Sequence, residues 1–167
     1  MGEILTREVF RKAGYVSIAT LFADKGCAVD DILKNGSNHG IDDIFVKRTA
    51  HGWIDVTFRP IFNEAKFRNT GKINVADLDV TQHCRQTTFT WLGQHVHLGK
   101  NRVGARVCTP THEMNIHASC QSCKSKTLES LKWLSTQLKA KNVTRTVSVI
   151  GDAGTLKIFK VQPVMRK

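Results

Sequence analysis

The sequence predicts an α/β domain in which helices flank a mixed central β-sheet. Three observations carry this. Leu128, Leu131, Leu134 and Leu138 recur at steps of three and four, the spacing of one buried helical stripe. IFNEAKF, TRTVSVI and TLKIFKV are short runs rich in β-branched and aromatic residues. The order along the chain is helix, three strands, helix, strand, helix, two strands, which points to helices layered on a mixed sheet.

The elements follow in turn. Val9, Phe10, Ala13, Val16, Ile18, Ala19, Leu21 and Phe22 read as one helix or two short ones over Leu5 to Ala23, with Gly14 as an interruption. Asp24 to Gly26 closes this region, and a short piece at Ala28 to Leu33 stops at the loop KNGSNHG. Strands are expected at Ile41 to Lys47, Trp53 to Phe58 and Ile61 to Phe67, with Pro60 marking a break or an edge between the last two. After the turn NTGK, Val75 to Leu98 is read as helical, and VGARVCT as a strand before a polar loop. A helix over Thr127 to Lys141 carries the leucine stripe, and Lys139 and Lys141 suit the negative end of its dipole. TRTVSVI, the turn GDAG and TLKIFKV form a closing hairpin.

At 167 residues, with no internal repeat or low-complexity linker, the chain is expected to be a single domain over 1–167. No apolar run approaches the roughly 18 residues of a membrane span. The start MGEILTREVF lacks the basic-then-apolar order of a secretory signal, so no membrane partner is expected. Lys and Arg number 25 against 14 acidic residues, a net charge of +11 spread along the chain, which favours a polyanionic partner. Five cysteines, an odd number at irregular spacing, argue for free thiols at a reducing site of action. Cys108, His112, His117, Cys120 and Cys123 contain the ligands for a structural zinc, but the second CxxC of a finger is absent, so loop thiols are the stronger reading.

The chemistry concentrates between Ser37 and Phe67. Side chains alternate along a strand, so Glu64 and Lys66 share one face while Ala65 and Phe67 take the other. Asp42 lies at the mouth of a strand that can run beside this one, and Asp43 points to the opposite face if that strand is regular. Two carboxylates brought together suit Mg²⁺, which keeps several waters and takes one or two protein carboxylates. Alone, E-x-K reads as a solvent-facing salt pair on an edge strand, with Asp42 a turn residue. Against this, Ile61, Phe62, Ala65 and Phe67 give the strand an internal character, and buried charges need partners or a metal.

HGID at His39 to Asp42, IFNEAKF at Ile61 to Phe67 and the following helix with Gln82 together resemble the PD-(D/E)XK, or restriction-endonuclease-like, nuclease superfamily, and within it the small nuclease domains of bacterial toxin effectors. The resemblance covers roughly residues 1–98. In that family a helix precedes a strand hairpin, an Asp at the start of one strand and the E-x-K of the next bind the metal, and a following helix supplies a Gln or Lys near the substrate phosphate. It therefore implies Asp42 and Glu64 as ligands of Mg²⁺ or Mn²⁺, Lys66 as catalytic lysine, and Gln82 as the helix residue. It also implies an acid from the first helix, Glu3 or Glu8, between which the sequence does not choose. Asn63, where an apolar residue is usual, and Pro60, which shortens the strand, depart from the pattern.

The expected function is phosphodiester hydrolysis by a metal-dependent nuclease, with DNA favoured over RNA, acting as an antibacterial toxin domain in the cytoplasm of a target cell, or otherwise in the cytoplasm. A toxin implies a cognate immunity protein, which a +11 chain predicts to be acidic. The alternatives are a tRNase or RNase toxin using the same site, and a non-catalytic basic nucleic-acid-binding domain stabilised by zinc. Trp53, Trp91 and Trp133 are read as packing residues rather than base-stacking ones. His83, His95, His97, His112 and His117 lack the spacing of a histidine metal site.

Overall fold

The computed structural model describes residues 2–24, 41–68, 89, 92, 121–151 and 154–162, and among these a single five-stranded sheet organises the chain. Helix α1 spans Gly2–Lys12 and is followed by the two-residue strand β1 at Val16–Ser17 and the short helix α2 at Ile18–Ala23. Strands β2 at Asp43–Val46 and β3 at Ile61–Phe67 come next. Helix α3 at Gln121–Lys139 leads to β4 at Thr144–Ile150 and β5 at Leu156–Lys160. The strands lie in the order β1-β2-β3-β4-β5, all antiparallel except the central β3–β4 pair. The expected α/β class with a mixed sheet is therefore observed.

Gly14 explains why the first apolar region splits in two. Its φ of +79° is a left-handed conformation, and it ends α1 by sending the Gly14 N–H to the Arg11 carbonyl and the Tyr15 N–H to the Phe10 carbonyl, each at 2.9 Å. This is the 5→2 and 6→1 pattern of a glycine-closed helix. The chain beyond it is redirected into β1, which pairs Val16 with Val46 and Ser17 with Phe45.

The expected strand at Trp53 to Phe58 is not formed. Arg48 and Ile54 make an isolated bridge, Gly52 takes φ +80°, and the Asp55 carboxylate accepts from both the Thr57 N–H at 3.0 Å and the Thr57 hydroxyl at 2.6 Å. The side chain of Asp55 thus offers the backbone a local turn in place of a ladder. Val56 and Phe58 are left 60% and 47% exposed, so the apolar residues here do not alternate onto a core. The segment is the connection that closes β2 onto β3. Helix α3 begins six residues before the leucine stripe suggests and ends at Lys139. The β3 limits and the closing hairpin match the sequence reading. The Ala28 to Leu33 piece, VGARVCT and most of the Val75 to Leu98 helix lie outside the described residues; Phe89 and Leu92 of that helix are described, and both are helical.

The sheet has two unlike faces. On one, Phe10 of α1 stacks on Phe45 with ring centroids 4.1 Å apart, against Ile61, Tyr15 and Ile158. The other carries the larger core: Ile44, Val46 and Phe62 of the sheet, Ile18, Leu21 and Phe22 from the α2 region, Leu134 and Leu138 of α3, and Leu92. Trp53 and Trp133 pack at the margin of this core, in keeping with their reading as packing residues. No helix among the described residues is long and apolar enough to cross a membrane.

Candidate active site

The middle of the sheet determines what Glu64 and Lys66 can be. β3 is flanked by β2 on one side and β4 on the other, so neither residue lies on an edge. Strand alternation directs both to the face that carries Phe62 and the larger core. The Glu64 and Lys66 side chains are only 5% and 14% exposed, and Glu64 Oε1 meets Lys66 Nζ at 3.1 Å. A solvent-facing salt pair is thereby ruled out. Recessed ion pairs contribute little to stability, because desolvating two charges offsets most of their attraction.

Asp42 enters from the neighbouring strand. β2 pairs antiparallel with β3 through Asp43↔Asn63 and Ile44↔Phe62, and one further step in the same register sets Asp42 across from Glu64. Its Oδ2 accepts the Ala65 N–H at 2.6 Å, so the carboxylate is fixed on the β3 backbone between Glu64 and Lys66. The site therefore consists of two carboxylates and one ammonium group on adjacent strands. Like charges this close repel unless a cation stands between or beside them, and Lys66 already supplies one.

Asp43, one residue on, has a different role. It faces α1, where its carboxylate accepts from the Ser17 hydroxyl at 2.6 Å, the Arg7 guanidinium at 2.5 Å and the Ile44 N–H at 2.9 Å. Burial raises its pKa above the ordinary 3.8, while the bonds from Ser17 and Arg7 and the Ile44 amide pull the other way. These contacts tie α1 and β1 to β2. Asn63 is buried on the same side, and its Oδ1 accepts from Thr146 and Ser148, each at 2.8 Å. A polar residue thus occupies the usual apolar place before the Glu because β4 supplies two hydroxyls to satisfy it.

Of the first-helix acids, Glu8 is held by two 2.8 Å bonds from Arg11 on the exposed side of α1. Glu3 is half-buried in the first turn. Gln82 lies outside the described residues. So do the zinc-type residues Cys108, His112, His117 and Cys120, while Cys123 falls in the first turn of α3. Lys47 and Arg48 are engaged away from the site: Lys47 Nζ donates to the Ala13 carbonyl at 2.7 Å and sits 4.2 Å over the Tyr15 ring, and Arg48 meets Asp24 at 3.3 Å.

The donor set suits a hard divalent cation. Two carboxylates on one face are the protein share that Mg²⁺ or Mn²⁺ takes, whereas zinc favours sulfur and imidazole. Among the described residues no group of three or more His, Cys, Asp or Glu side chains is placed to hold a metal. Sequence reasoning passed over one further charged residue, Arg145. Its signal was parity, because Arg145, Val147 and Val149 alternate on one side of β4 and the two valines are buried. The chain was compared with models of known protein families, with curated proteins and with solved structures, and none matches.

Proposed function

We propose that this chain is a metal-dependent nuclease of restriction-endonuclease-like type that hydrolyses phosphodiester bonds. The observation that carries the reading is the Asp42 carboxylate seated on the β3 backbone between Glu64 and Lys66, in a recess on a central strand. A helix before an antiparallel strand pair, an Asp at the mouth of one strand and E-x-K on the next agree with what the sequence resemblance implies.

Asp42 and Glu64 would hold Mg²⁺ or Mn²⁺ through their oxygens. Such an ion, when bound, lowers the pKa of a coordinated water and neutralises charge on the phosphate. Lys66, fixed against Glu64, presents its ammonium to the attacking water and to the negative charge that grows on the phosphoryl oxygens, and a preorganised cation in a water-poor recess is strongest there. The attacking water gives up a proton to solvent as its oxygen bonds to phosphorus, the bond to the leaving oxygen breaks, and that oxygen takes a proton from solvent. On the α1 side of the sheet Asp43 ties β2 to α1 and β1, and Asn63 ties β3 to β4, which braces the two strands whose pairing sets Asp42 opposite Glu64.

The net charge of +11 supports a nucleic-acid substrate, and DNA is the favoured one. A toxin role with an acidic immunity protein accords with the same field. The test is cleavage of plasmid DNA, total RNA and tRNA by the purified chain with Mg²⁺ or Mn²⁺, with Glu64→Ala and Lys66→Ala as controls. Cleavage that both variants reduce by about 100-fold or more is expected. Intact substrates with either ion, or cleavage that survives both substitutions, overturns the reading.

A further inference from the structure

Arg145 lies near the start of β4 and is 9% exposed. Its register partner is Phe62, so strand alternation places it on the same side of the sheet as Glu64 and Lys66. With strands about 4.8 Å apart and about 3.3 Å per residue, the Cα atoms of Arg145 and Glu64 lie about 8 Å apart. The guanidinium carbon sits 4.3 Å from the centroid of the Phe89 ring, which fixes its plane. Phe89 belongs to the segment from which the sequence resemblance implies a residue near the substrate phosphate.

Among the described residues the carboxylates one row away on this face are Asp42 and Glu64, and with Lys66 and Arg145 these four formal charges cancel. A divalent cation held by the two carboxylates would leave the site positive by two. A phosphodiester is singly charged at rest and gains a second negative charge when the attacking water gives up a proton to solvent and adds as hydroxide. We propose that Arg145 is a second phosphate-binding cation of this site, which donates two parallel N–H bonds to the non-bridging oxygens of the scissile phosphate beside Lys66.

This proposal rests on the nuclease reading for its cleavage arm and stands apart from it in a binding arm. In the binding arm, the affinity of the full chain for a fluorescein-labelled single-stranded DNA or RNA oligonucleotide is followed against salt in EDTA. Arg145→Met should make the slope of log K against log salt shallower by about one, the loss of one phosphate contact, whereas Arg145→Lys should keep the slope. In the cleavage arm, Arg145→Met should lower kcat by about 100-fold, and Arg145→Lys should recover only part of it because the planar fork is lost. Thermal melting of each variant accompanies both arms, since removing one cation from a buried set of charges destabilises the fold when the remaining charges are left unbalanced.

An unchanged slope with kcat within about threefold of wild type overturns the role of Arg145 and leaves the nuclease reading standing. A wild-type chain that binds but cuts nothing overturns the nuclease reading, while the Arg145→Met slope still decides the phosphate contact. No binding by the wild-type chain overturns both. If Arg145→Met does not fold, Arg145→Lys decides: full kcat in that variant counts against bidentate phosphate binding.

Discussion

Asp42 and Asp43 are adjacent in the chain and lie on opposite faces of the sheet, and the two faces treat a carboxylate differently. On the α1 side Asp43 is enclosed by donors, and Asn63 has the Thr146 and Ser148 hydroxyls around it. Both of these polar side chains are matched by neighbours. On the other side Asp42 and Glu64 sit at the border of an apolar layer formed by Phe62, Ile44 and Leu134, with the Lys66 ammonium against Glu64 and the Asp42 carboxylate on the Ala65 N–H. The first arrangement ties α1 and β1 to β2, and β3 to β4. The second concentrates charge where it does little for stability, as expected of a site that meets a ligand.

The largest effect should come from exchanging the two neighbours' roles. Asp42→Asn keeps an oxygen that can accept the Ala65 N–H, so its melting should stay within about 1 kcal/mol of wild type while cleavage falls by about 100-fold or more. Asp43→Ala strips acceptors from Ser17 and Ile44 and leaves Arg7 without its buried partner. Because Arg7 is partly exposed, the cost should be about 2–3 kcal/mol of stability, read by urea unfolding, with the folded fraction still cleaving. If Asp42→Asn unfolds the chain, or Asp43→Ala folds normally but is inactive, the division between the faces is wrong.

A smaller effect separates the faces by pH. The Asp43 pKa is raised in the folded chain above its ordinary 3.8, so the folded state binds its proton more tightly than the unfolded state does. The stability this provides is present below pH 3.8 and is lost as pH rises through the folded value. Asp43→Asn removes this titration. The stability difference between wild type and Asp43→Asn should therefore move in favour of the variant as pH rises from about 4 through the folded value. A flat difference from pH 4 to 7 would show that the bonds from Ser17, Arg7 and Ile44 balance the burial.

How far these features were legible in the sequence depended on whether neighbours in the chain or partners across the fold decided them. The β3 limits, the closing hairpin and the Gly14 break were legible because alternation, a turn and a left-handed glycine are local signals. The approach of Asp42 to Glu64 was legible as an expectation because alternation puts Glu64 and Lys66 on one face and Asp42 stands at the mouth of a strand that can run beside them. The false strand at Trp53 to Phe58 arose because its residue types are strand-like, while a single carboxylate, Asp55, captured the backbone. The enclosure of Asp43 by Arg7, 36 positions away, had no local signal. Nor did the two β4 hydroxyls that explain Asn63, 83 and 85 positions away. Arg145 was hidden for a related reason, since a charged residue at a strand start reads as an exposed end until its register is known.

The smallest effect concerns how each layer's long helix is closed. α1 ends on Gly14 and α3 ends on Lys141, and both use the same pair of bonds: Lys141 N–H to the Leu138 carbonyl at 3.0 Å and Asn142 N–H to the Gln137 carbonyl at 2.8 Å. Lys141 holds φ +54°, a region in which a Cβ crowds the backbone, whereas Gly14 has no Cβ to crowd. Opposite responses should follow. Gly14→Ala should destabilise the chain by about 1–2 kcal/mol, because a left-handed alanine is strained, while the Lys47 ammonium near the new Cβ can move aside on its flexible stem. Lys141→Gly should raise stability, with the strain relieved offset in part by the greater freedom of glycine in the unfolded chain, for a net gain of up to about 1 kcal/mol. Chemical denaturation at one pH measures both. A loss of stability in Lys141→Gly would mean that the lysine makes contacts beyond its backbone conformation, and the two helix ends would then be alike in hydrogen bonding only.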